Sequence, residues 1–297
     1  YDLMNEPFEG TPGARMQVAV MAKLAEALAA RAGPTTSSPE ALMQRWGTAE
    51  GRRDLVQTLR DLDLFRQMLE VAEPGSQEFE RSKLAPMYRL VSRVIREVDS
   101  NHILFLEPSI STTSGVRSAL EPIVGSEGKP DRLQAYAPHA YDMVTDTRDV
   151  AAASNERVEL IFTRHGETAK RLGLPMLVGE WGAYYNSADA YPAARFVGSQ
   201  LEKLRCSDTY WSYTKDLAKA AFLAAIARPY PMEISGTLVS YSADFDRAKF
   251  TCLWKENPAV SAPTRIYLPK PFIGSKHRIK LLPRGIGYKF EFSGRAG

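Results

Sequence analysis

Apolar and polar positions alternate with two different periods along the first two-thirds of the chain. Short apolar runs predict strands at residues 1–4, 103–106, 133–136, 176–179 and 209–213. Between these runs, apolar residues recur every three to four positions, which is typical of helices with one buried face. Such stripes lie at Met87, Val91, Val94 and Val98, at Val158, Ile161, His165 and Leu172, and at Ala193, Val197, Leu201 and Leu204. Alternating strands and helices predict a parallel sheet covered by helices.

The spacing of the later strands, and the residues that follow them, indicate a barrel. The last steps from strand to strand are close to the ~30 residues of one unit in an eight-stranded β/α barrel. Polar and aromatic residues follow the strands, and barrels of this class carry their active sites at the carboxyl ends of the strands. We therefore expect residues 1–227 to form the C-terminal part of a (β/α)8 TIM barrel, with about the last five strands present.

One connection is much longer than the others and predicts a helical insertion at about residues 32–80. A helix is expected near residues 17–31, before a turn-rich break. Ser38, which is followed by a proline, is a suitable N-cap for the next helix, and Gly47 is a suitable stop. One apolar stripe contains Leu55, Leu59, Leu62, Phe65 and Leu69. We expect this stripe to pack on the barrel, and a lipid-binding wall beside the site is the alternative interpretation.

After about residue 227 the pattern changes to short strands separated by turn residues. Strands are predicted at residues 236–242, 250–254, 264–268, 277–281 and 288–292. Several of these runs alternate apolar and polar side chains with period two, and proline and glycine lie in the gaps between them. This arrangement predicts a C-terminal antiparallel β-sandwich over residues 228–297.

Composition narrows the function classes only slightly. The chain has 297 residues, of which 44% are hydrophobic and 25% charged, and a formal net charge of +3. So small a basic excess gives no case for nucleic-acid binding, and no apolar run approaches the ~18 residues of a membrane-spanning helix. Cys206 and Cys252 are far apart, and we expect both to be buried free thiols. The chain begins inside a predicted strand without an initiator methionine, so we expect it to start partway through a longer gene product.

Two glutamates that directly follow predicted strands, Glu6 and Glu180, form a candidate catalytic pair. Hydrolysis of a glycosidic bond with retention needs two carboxyl groups about 5 Å apart. One must be protonated to supply the leaving oxygen, and the other must be ionised to attack the anomeric carbon. On a barrel both would project from the same rim. We expect mutual repulsion to raise the pKa of Glu6 and keep it protonated.

Four segments resemble motifs of glycoside hydrolase family 5. Leu-Met-Asn-Glu-Pro at residues 3–7 resembles the acid/base motif of the fourth strand, and Leu-Val-Gly-Glu-Trp-Gly at 177–182 resembles the nucleophile motif of the seventh. Pro-His-Ala-Tyr-Asp at 138–142 resembles the His-x-Tyr of the sixth strand, and Tyr-Trp-Ser-Tyr at 210–213 resembles the eighth. The resemblance implies a barrel hydrolase that works by double displacement with no cofactor and no metal.

The resemblance also implies roles for individual residues. Glu6 is expected to be the acid/base and Glu180 the nucleophile. Contacts with substrate are expected from Asn5, His139, Tyr141, Trp181 and Trp211. An aromatic face such as that of Trp211 can stack on the apolar C–H face of a sugar, and the Trp211–Ser212 peptide bond is expected to be cis. Core packing is the alternative interpretation of Trp211 and of His139.

Two further carboxylates are weaker candidates. Glu107 also ends a predicted strand, but it precedes a proline and lacks a neighbouring aromatic residue, so it ranks well below the catalytic pair. It is interpreted at most as a hydrogen-bonding partner behind that pair. Asp142 is as plausible a contact for substrate hydroxyls as it is a structural residue.

The endoglycoceramidase-like branch of the family fits best. Arg-Pro-Tyr-Pro at 228–231 and Ala-Pro-Thr-Arg-Ile-Tyr-Leu-Pro at 262–269 resemble the junction and sandwich of that branch. It implies a monomer that cleaves the β-glycosidic bond of a glycosylceramide or related lipid glycoside, such as a steryl glucoside, at a membrane surface. The alternatives are a family 5 polysaccharide β-glucanase and a non-catalytic carbohydrate- or membrane-binding remnant. Because three barrel strands are missing from the prediction, we expect the chain alone to be inactive or poorly folded.

Overall fold

The structure is a computed structural model that describes residues 1–32, 38–125, 128–145, 147, 149–185, 187–273, 278–282, 287 and 289. The helices are α1 (Thr11–Ala32), α2 (Pro39–Trp46), α3 (Ala49–Thr58), α4 (Leu62–Phe79), α5 (Ala85–Val98), α6 (Asn155–Leu172), α7 (Ala190–Leu204) and α8 (Leu223–Ile226). A π-helical segment, Glu80–Leu84, joins α4 to α5. The strands are β1 (Leu104–Leu106), β2 (Gln134–Tyr136), β3 (Leu177–Gly182), β4 (Ser207–Trp211), β5 (Tyr230–Glu233), β6 (Gly236–Asp244), β7 (Lys249–Glu256) and β8 (Arg265–Tyr267).

Five parallel segments lie side by side in the order in which the chain visits them. The segment at the start of the chain pairs through Asp2 with β1, and β1 pairs with β2. Bridges from Tyr136 to Met176 and from His139 to Glu180 join β2 to β3, which pairs in parallel with β4. Helix α6 lies between β2 and β3 and α7 between β3 and β4, as in an arc of a β/α barrel, whereas the connection from β1 to β2 contains only a short 3-10 helix at Ile110–Ser114. The predicted strand at residues 1–4 is reduced to a single bridge, and the other strands lie where the sequence predicted them within a few residues.

The helices of this arc bury one face each, but not always the predicted one. The stripe on α6 is buried as predicted, and Ser154 caps its first turn while Gly173 ends it with a φ of 66°. On α5 the prediction is wrong in part, because Val94 and Val98 are 55% and 86% exposed. The buried face of α5 is formed instead by Tyr88 and Ser92, which an apolar pattern does not count.

The insertion forms a small helical unit with its own core. Ser38 accepts a hydrogen bond from the backbone N–H of Ala41 at 3.2 Å, so α2 begins where the sequence predicted. The long stripe is split between α3 and α4, because the carboxylate of Asp61 caps the start of α4. The buried cluster contains Met21, Leu24, Leu42, Leu55, Leu59, Leu64, Phe65, Met68, Leu69, Ala72 and Val116. The stripe is therefore core and does not form a lipid-binding wall. The predicted break at residues 33–37 lies outside the described residues.

The C-terminal region contains two antiparallel strand pairs. β6 and β7 form a hairpin, and β5 pairs with β8. The strands predicted at residues 236–242, 250–254 and 264–268 are confirmed, and β5 was not predicted. Residues 278–281 form no strand, and the strand predicted at 288–292 lies outside the described residues apart from residue 289. The sandwich and the domain boundaries at 1–227 and 228–297 remain predictions.

The described part of the chain tests the predictions about the cysteines and about membrane-spanning helices. Both cysteines are free thiols; Cys206 is buried as predicted, whereas Cys252 is only half-buried. None of the described helices is long and apolar enough to cross a bilayer.

Candidate active site

The parallel arc brings Glu6 and Glu180 together although they are far apart in sequence. Glu6 follows the first parallel segment and adopts a positive φ of 44°, and Glu180 lies within β3. His139 stands between them: its Nδ1 is 3.0 Å from Oε1 of Glu6 and 3.4 Å from Oε2 of Glu180. One polar atom from each of these three side chains lies within 4.8 Å of the others. The two carboxyl groups therefore flank a common space.

The local backbone explains why the three side chains converge. His139 bridges in parallel to Glu180, and the backbone N–H of Ala140 donates to the carbonyl of Glu180 at 2.9 Å. Gly179 lies directly under the imidazole, where an added Cβ would be 3.2 Å from the His139 ring. That distance is tighter than ordinary van der Waals contact. The glycine of the Val-Gly-Glu run thus allows His139 to pack against the strand that carries Glu180.

Tyr141 and Asp142 follow His139 but face different partners. The hydroxyl of Tyr141 donates to Oε2 of Glu180 at 3.0 Å. Asp142 instead accepts two hydrogen bonds from the fully buried guanidinium of Arg157, at 2.6 and 3.0 Å. The same guanidinium donates to the carbonyl of Val56 in α3. Asp142 is therefore a structural residue that anchors the loop of Tyr141, and it is not placed to contact substrate hydroxyls.

Trp181 and Trp211, both predicted to contact substrate, have different positions. Trp181 is fully buried, whereas the neighbouring Glu180 is half-buried and faces His139. Its indole N–H donates to Asp208 at 2.9 Å, and Asp208 also pairs with Arg228. The indole therefore packs behind the strand, and contact of Trp181 with substrate stays an untested prediction. Trp211 is 48% exposed at the end of β4, and its peptide bond to Ser212 is cis, as the resemblance implied.

Asn5 and Glu107 also lie at the carboxyl ends of the parallel segments, next to Glu6 and after β1 respectively. Asn5 is exposed beside Glu6. Glu107, which sequence reasoning ranked low, is 1% exposed, and its Oε1 lies 3.4 Å from Nε2 of His139. The signal was present in the sequence, because Glu107 follows β1 as Glu6 follows the preceding segment. Pro108 and the missing aromatic neighbour led to the low rank.

The charges in this site perturb one another. Burial disfavours the charged form of His139, but the hydrogen bond to Glu6 and the charges of Glu107 and Glu180 outweigh it and raise the pKa of His139. Burial raises the pKa of Glu107 to about 8 against the opposing effects of His139 and the backbone N–H of Glu6. Burial also raises the pKa of Glu180, opposed by His139 and Tyr141.

Comparison with known protein families shows the family to which this chain belongs. The family described as "Cellulase (glycosyl hydrolase family 5)" matches residues 66–216, which is just over half of the chain. The family described as "Glycoside hydrolase family 5 C-terminal domain" matches residues 228–294. The chain belongs to glycoside hydrolase family 5. Family 5 membership implies a (β/α)8 catalytic barrel, and the parallel segments of the structure form an arc of it.

Two solved structures of one bacterial enzyme have a fold similar to that of this chain. The family 5 chain resembles endo-glycoceramidase II from Rhodococcus sp. as a lactosyl-enzyme intermediate, with 22% identity, a TM-score of 0.57 and 86% of this chain covered. The same enzyme in a ganglioside GM3 complex gives 21% identity, a TM-score of 0.56 and 88% coverage. In both comparisons the chain spans 59% of the length of that enzyme. At this identity the likeness shows the fold. No curated protein matches the chain by sequence comparison.

The side chains of the site have the atoms needed for acid, base and nucleophilic chemistry. The side chains of Glu6, His139 and Glu180 also carry nitrogen and oxygen atoms of the kinds that bind divalent metals. In the structure the polar atoms of these side chains face one another. Two carboxyl groups beside a shared space, Glu180 hydrogen-bonded to Tyr141 and Glu6 to His139, can protonate a leaving oxygen and attack a carbon centre.

Proposed function

We propose that this family 5 chain carries the catalytic pair of a retaining β-glycosidase, with Glu6 as acid/base and Glu180 as nucleophile. The observation that carries the proposal is the convergence of the two carboxyl groups, with one oxygen of each lying within 4.8 Å. Retaining enzymes separate their carboxyl groups by about 5–5.5 Å, whereas inverting enzymes need about 6.5–9.5 Å to admit a water molecule. The spacing favours direct attack by a carboxylate.

The reaction then follows from the positions of the side chains. Glu180 attacks the anomeric carbon while the bond to the leaving oxygen breaks, and Glu6 gives that oxygen its proton. The product is a glycosyl ester of Glu180. Glu6, now ionised, takes a proton from water, the water oxygen attacks the anomeric carbon, and Glu180 leaves as a carboxylate. The hydroxyl of Tyr141 stabilises that carboxylate through its hydrogen bond to Oε2.

The substrate that we propose is a glycosylceramide or a related lipid glycoside met at a membrane surface. Support comes from the match to the family 5 C-terminal domain and from the similarity to an enzyme that was solved in complex with ganglioside GM3. Large exposed aromatic residues follow the strands that carry the site, namely Phe8, Tyr185, Trp211 and Tyr213. Such residues suit a substrate with both a sugar face and an apolar tail.

The catalytic assignment can be tested with trapping and rescue in the protein at its natural length. A 2-fluoro-β-glycoside should accumulate as an ester on the peptide that contains Glu180, detected by mass spectrometry. In the Glu180→Gly variant, azide should restore turnover and give the α-glycosyl azide. In the Glu6→Ala variant, azide should give the β-glycosyl azide. Unchanged activity in either variant without azide would remove the proposed pair.

The substrate class needs a separate comparison. We expect hydrolysis of glucosylceramide, a longer glycosphingolipid or a steryl glucoside in detergent micelles, measured side by side, to exceed hydrolysis of a soluble mixed-linkage β-glucan. A preference for the glucan would replace the lipid proposal with the polysaccharide one. Absence of turnover on every substrate, together with no labelling of Glu180, would favour a non-catalytic carbohydrate-binding role.

A further inference from the structure

The imidazole of His139 has a carboxyl group at each of its nitrogen atoms. Nδ1 faces Glu6 at 3.0 Å and Glu180 at 3.4 Å, and Nε2 faces Glu107 at 3.4 Å. His139 is 3% exposed, so water does not compete for these contacts. The ring therefore connects the candidate catalytic pair, on one side, to a carboxyl group buried beneath the rim on the other.

Glu107 is held close to His139 and to the backbone N–H of Glu6. Its side chain is almost completely buried, and its Oε2 has no hydrogen-bond partner among the described residues. The hydroxyl of Tyr88 donates to the backbone carbonyl of Glu107 at 2.7 Å, which fixes the residue against α5. An isolated buried carboxylate is costly unless it is neutralised or paired. His139 is the side chain that can offer Glu107 a proton.

We propose that Glu107 is a positioning residue whose buried carboxyl group fixes the orientation and charge state of His139, which in turn orients Glu6 and Glu180. This proposal rests on the proposed function of the catalytic pair. Glu107 does not touch the space between the two carboxyl groups, so it acts through His139 and not on the substrate.

The chemistry at Nε2 explains the effect on the other nitrogen. A protonated Glu107 donates its O–H to Nε2, and an ionised Glu107 accepts an N–H from the imidazolium. In both states Nδ1 keeps its proton and donates it towards Glu6 and Glu180. Without Glu107 the neutral ring is free to place its single proton on Nε2, and Nδ1 becomes an acceptor that repels the two carboxylates.

The groups that influence this pair come from several elements. His139 faces Glu6, Glu107 and Glu180, and it also contacts the ring of Tyr141. Glu107 is affected by His139, Glu6 and Asp2. Burial raises the pKa of Glu107 to about 8, which keeps a proton available to the pair around neutral pH. The carboxyl group in turn helps to raise the pKa of His139.

The experiment follows His139 directly by NMR in the protein at its natural length, with 15N-labelled histidine and no substrate. The signals of His139 are assigned from a His139→Asn variant. We expect the pH range over which the His139 signals titrate to differ by about one pH unit or more between wild type and Glu107→Gln, because the variant has no carboxyl group that can exchange a proton with Nε2. Glu202→Gln is the matched control, since Glu202 is also buried with a raised pKa but accepts from Ala243 away from the site. It should leave the curve unchanged.

Kinetics supply the second readout and a second variant. Glu107→Met removes both the charge and the hydrogen bond, and we expect kcat to fall about tenfold or more with KM within about twofold, because orientation is lost while substrate contacts remain. Glu107→Gln can still donate to Nε2 and should recover part of kcat. Identical His139 titration in wild type and Glu107→Gln, or full kcat in Glu107→Met, would overturn the proposal. Full activity in Glu6 and Glu180 variants would overturn the catalytic assignment alone, because the NMR result needs no turnover.

Discussion

The ion pair between Arg157 and Asp142 provides a test of how the loop of Tyr141 is held. Arg157 is fully buried, and its guanidinium makes two hydrogen bonds to Asp142 and one to the carbonyl of Val56. Replacing Arg157 with methionine keeps most of the side-chain length but leaves the carboxylate of Asp142 buried without its counter-charge. Removal of one partner of a buried pair costs about 3–5 kcal/mol. We expect the free energy of unfolding of Arg157→Met to fall by about that amount.

The chain offers a matched control for this loss. Arg53 and Asp149 form an ion pair of almost the same length, 2.7 Å against 2.6 Å, but the Arg53 side chain is 58% exposed. Exposed pairs contribute about 0–1 kcal/mol because water solvates both partners and screens them. We therefore expect Arg53→Met to change stability by less than about 1 kcal/mol. The two pairs have almost the same length but differ in burial and in the number of hydrogen bonds that the guanidinium makes.

The assay is urea-induced unfolding of both variants followed by fluorescence, with kcat measured under folded conditions. Because Tyr141 precedes Asp142 and donates to Glu180, we expect kcat to fall in Arg157→Met but not in Arg53→Met. A double variant, Arg157→Met with Asp142→Leu, should recover part of the lost stability because no buried charge remains unpaired. Equal losses of unfolding free energy in Arg157→Met and Arg53→Met would refute the role of burial. Full kcat in an Arg157→Met protein whose Tyr141 is displaced would refute the link between this ion pair and the site.

Three further predictions follow from the site. Tyr141→Phe should lower kcat about tenfold or more, because the nucleophile loses a hydrogen bond worth about 1.5–3 kcal/mol to its charged form. Burial raises the pKa of Glu180 and the group must be ionised to attack, so the acidic limb of kcat/KM in a pH–rate profile should lie above the usual range of a glutamate; a limb at or below that range would contradict it. Trp211→Ala should raise KM for glycoside substrates, whereas Trp181→Phe should chiefly lower the thermal midpoint, since its indole is buried and bonded to Asp208.

Strand-following glutamates were predictable because parallel strands end at one edge, and that rule alone brings Glu6 and Glu180 to a common rim. The same rule applies to Glu107, but the sequence does not indicate how deeply a side chain is buried. In the structure Glu107 is buried below the rim, where its carboxyl group faces His139. The burial of Trp181 was not predicted, because a motif does not state which residues of a strand are buried and the pairing of β3 shifts register between Val178 and Trp181.

Packing accounts for the other differences. The stripe on α5 was wrong because Tyr88 and Ser92 are buried, Tyr88 with its hydroxyl bonded to a backbone carbonyl, and an apolar count cannot anticipate a polar buried face. The continuous stripe of the insertion hid a helix break, since the periodicity continues across Asp61 although its carboxylate starts a new helix. Tertiary hydrogen bonds decide both cases, and they involve partners distant in sequence or outside the apolar pattern.

The contact between Arg228 and Asp208 has a practical consequence for anyone who trims this protein. Asp208 holds the indole of the residue next to the proposed nucleophile, and its counter-charge is supplied from the first residue of the C-terminal family match. Arg228 itself interacts with Tyr241 of β6. Cutting the chain after residue 227 would thus leave the carboxylate of Asp208 without its counter-charge beside the buried indole of Trp181. A shortened chain that keeps this contact has to retain Arg228 and the β6–β7 hairpin, which carries Tyr241.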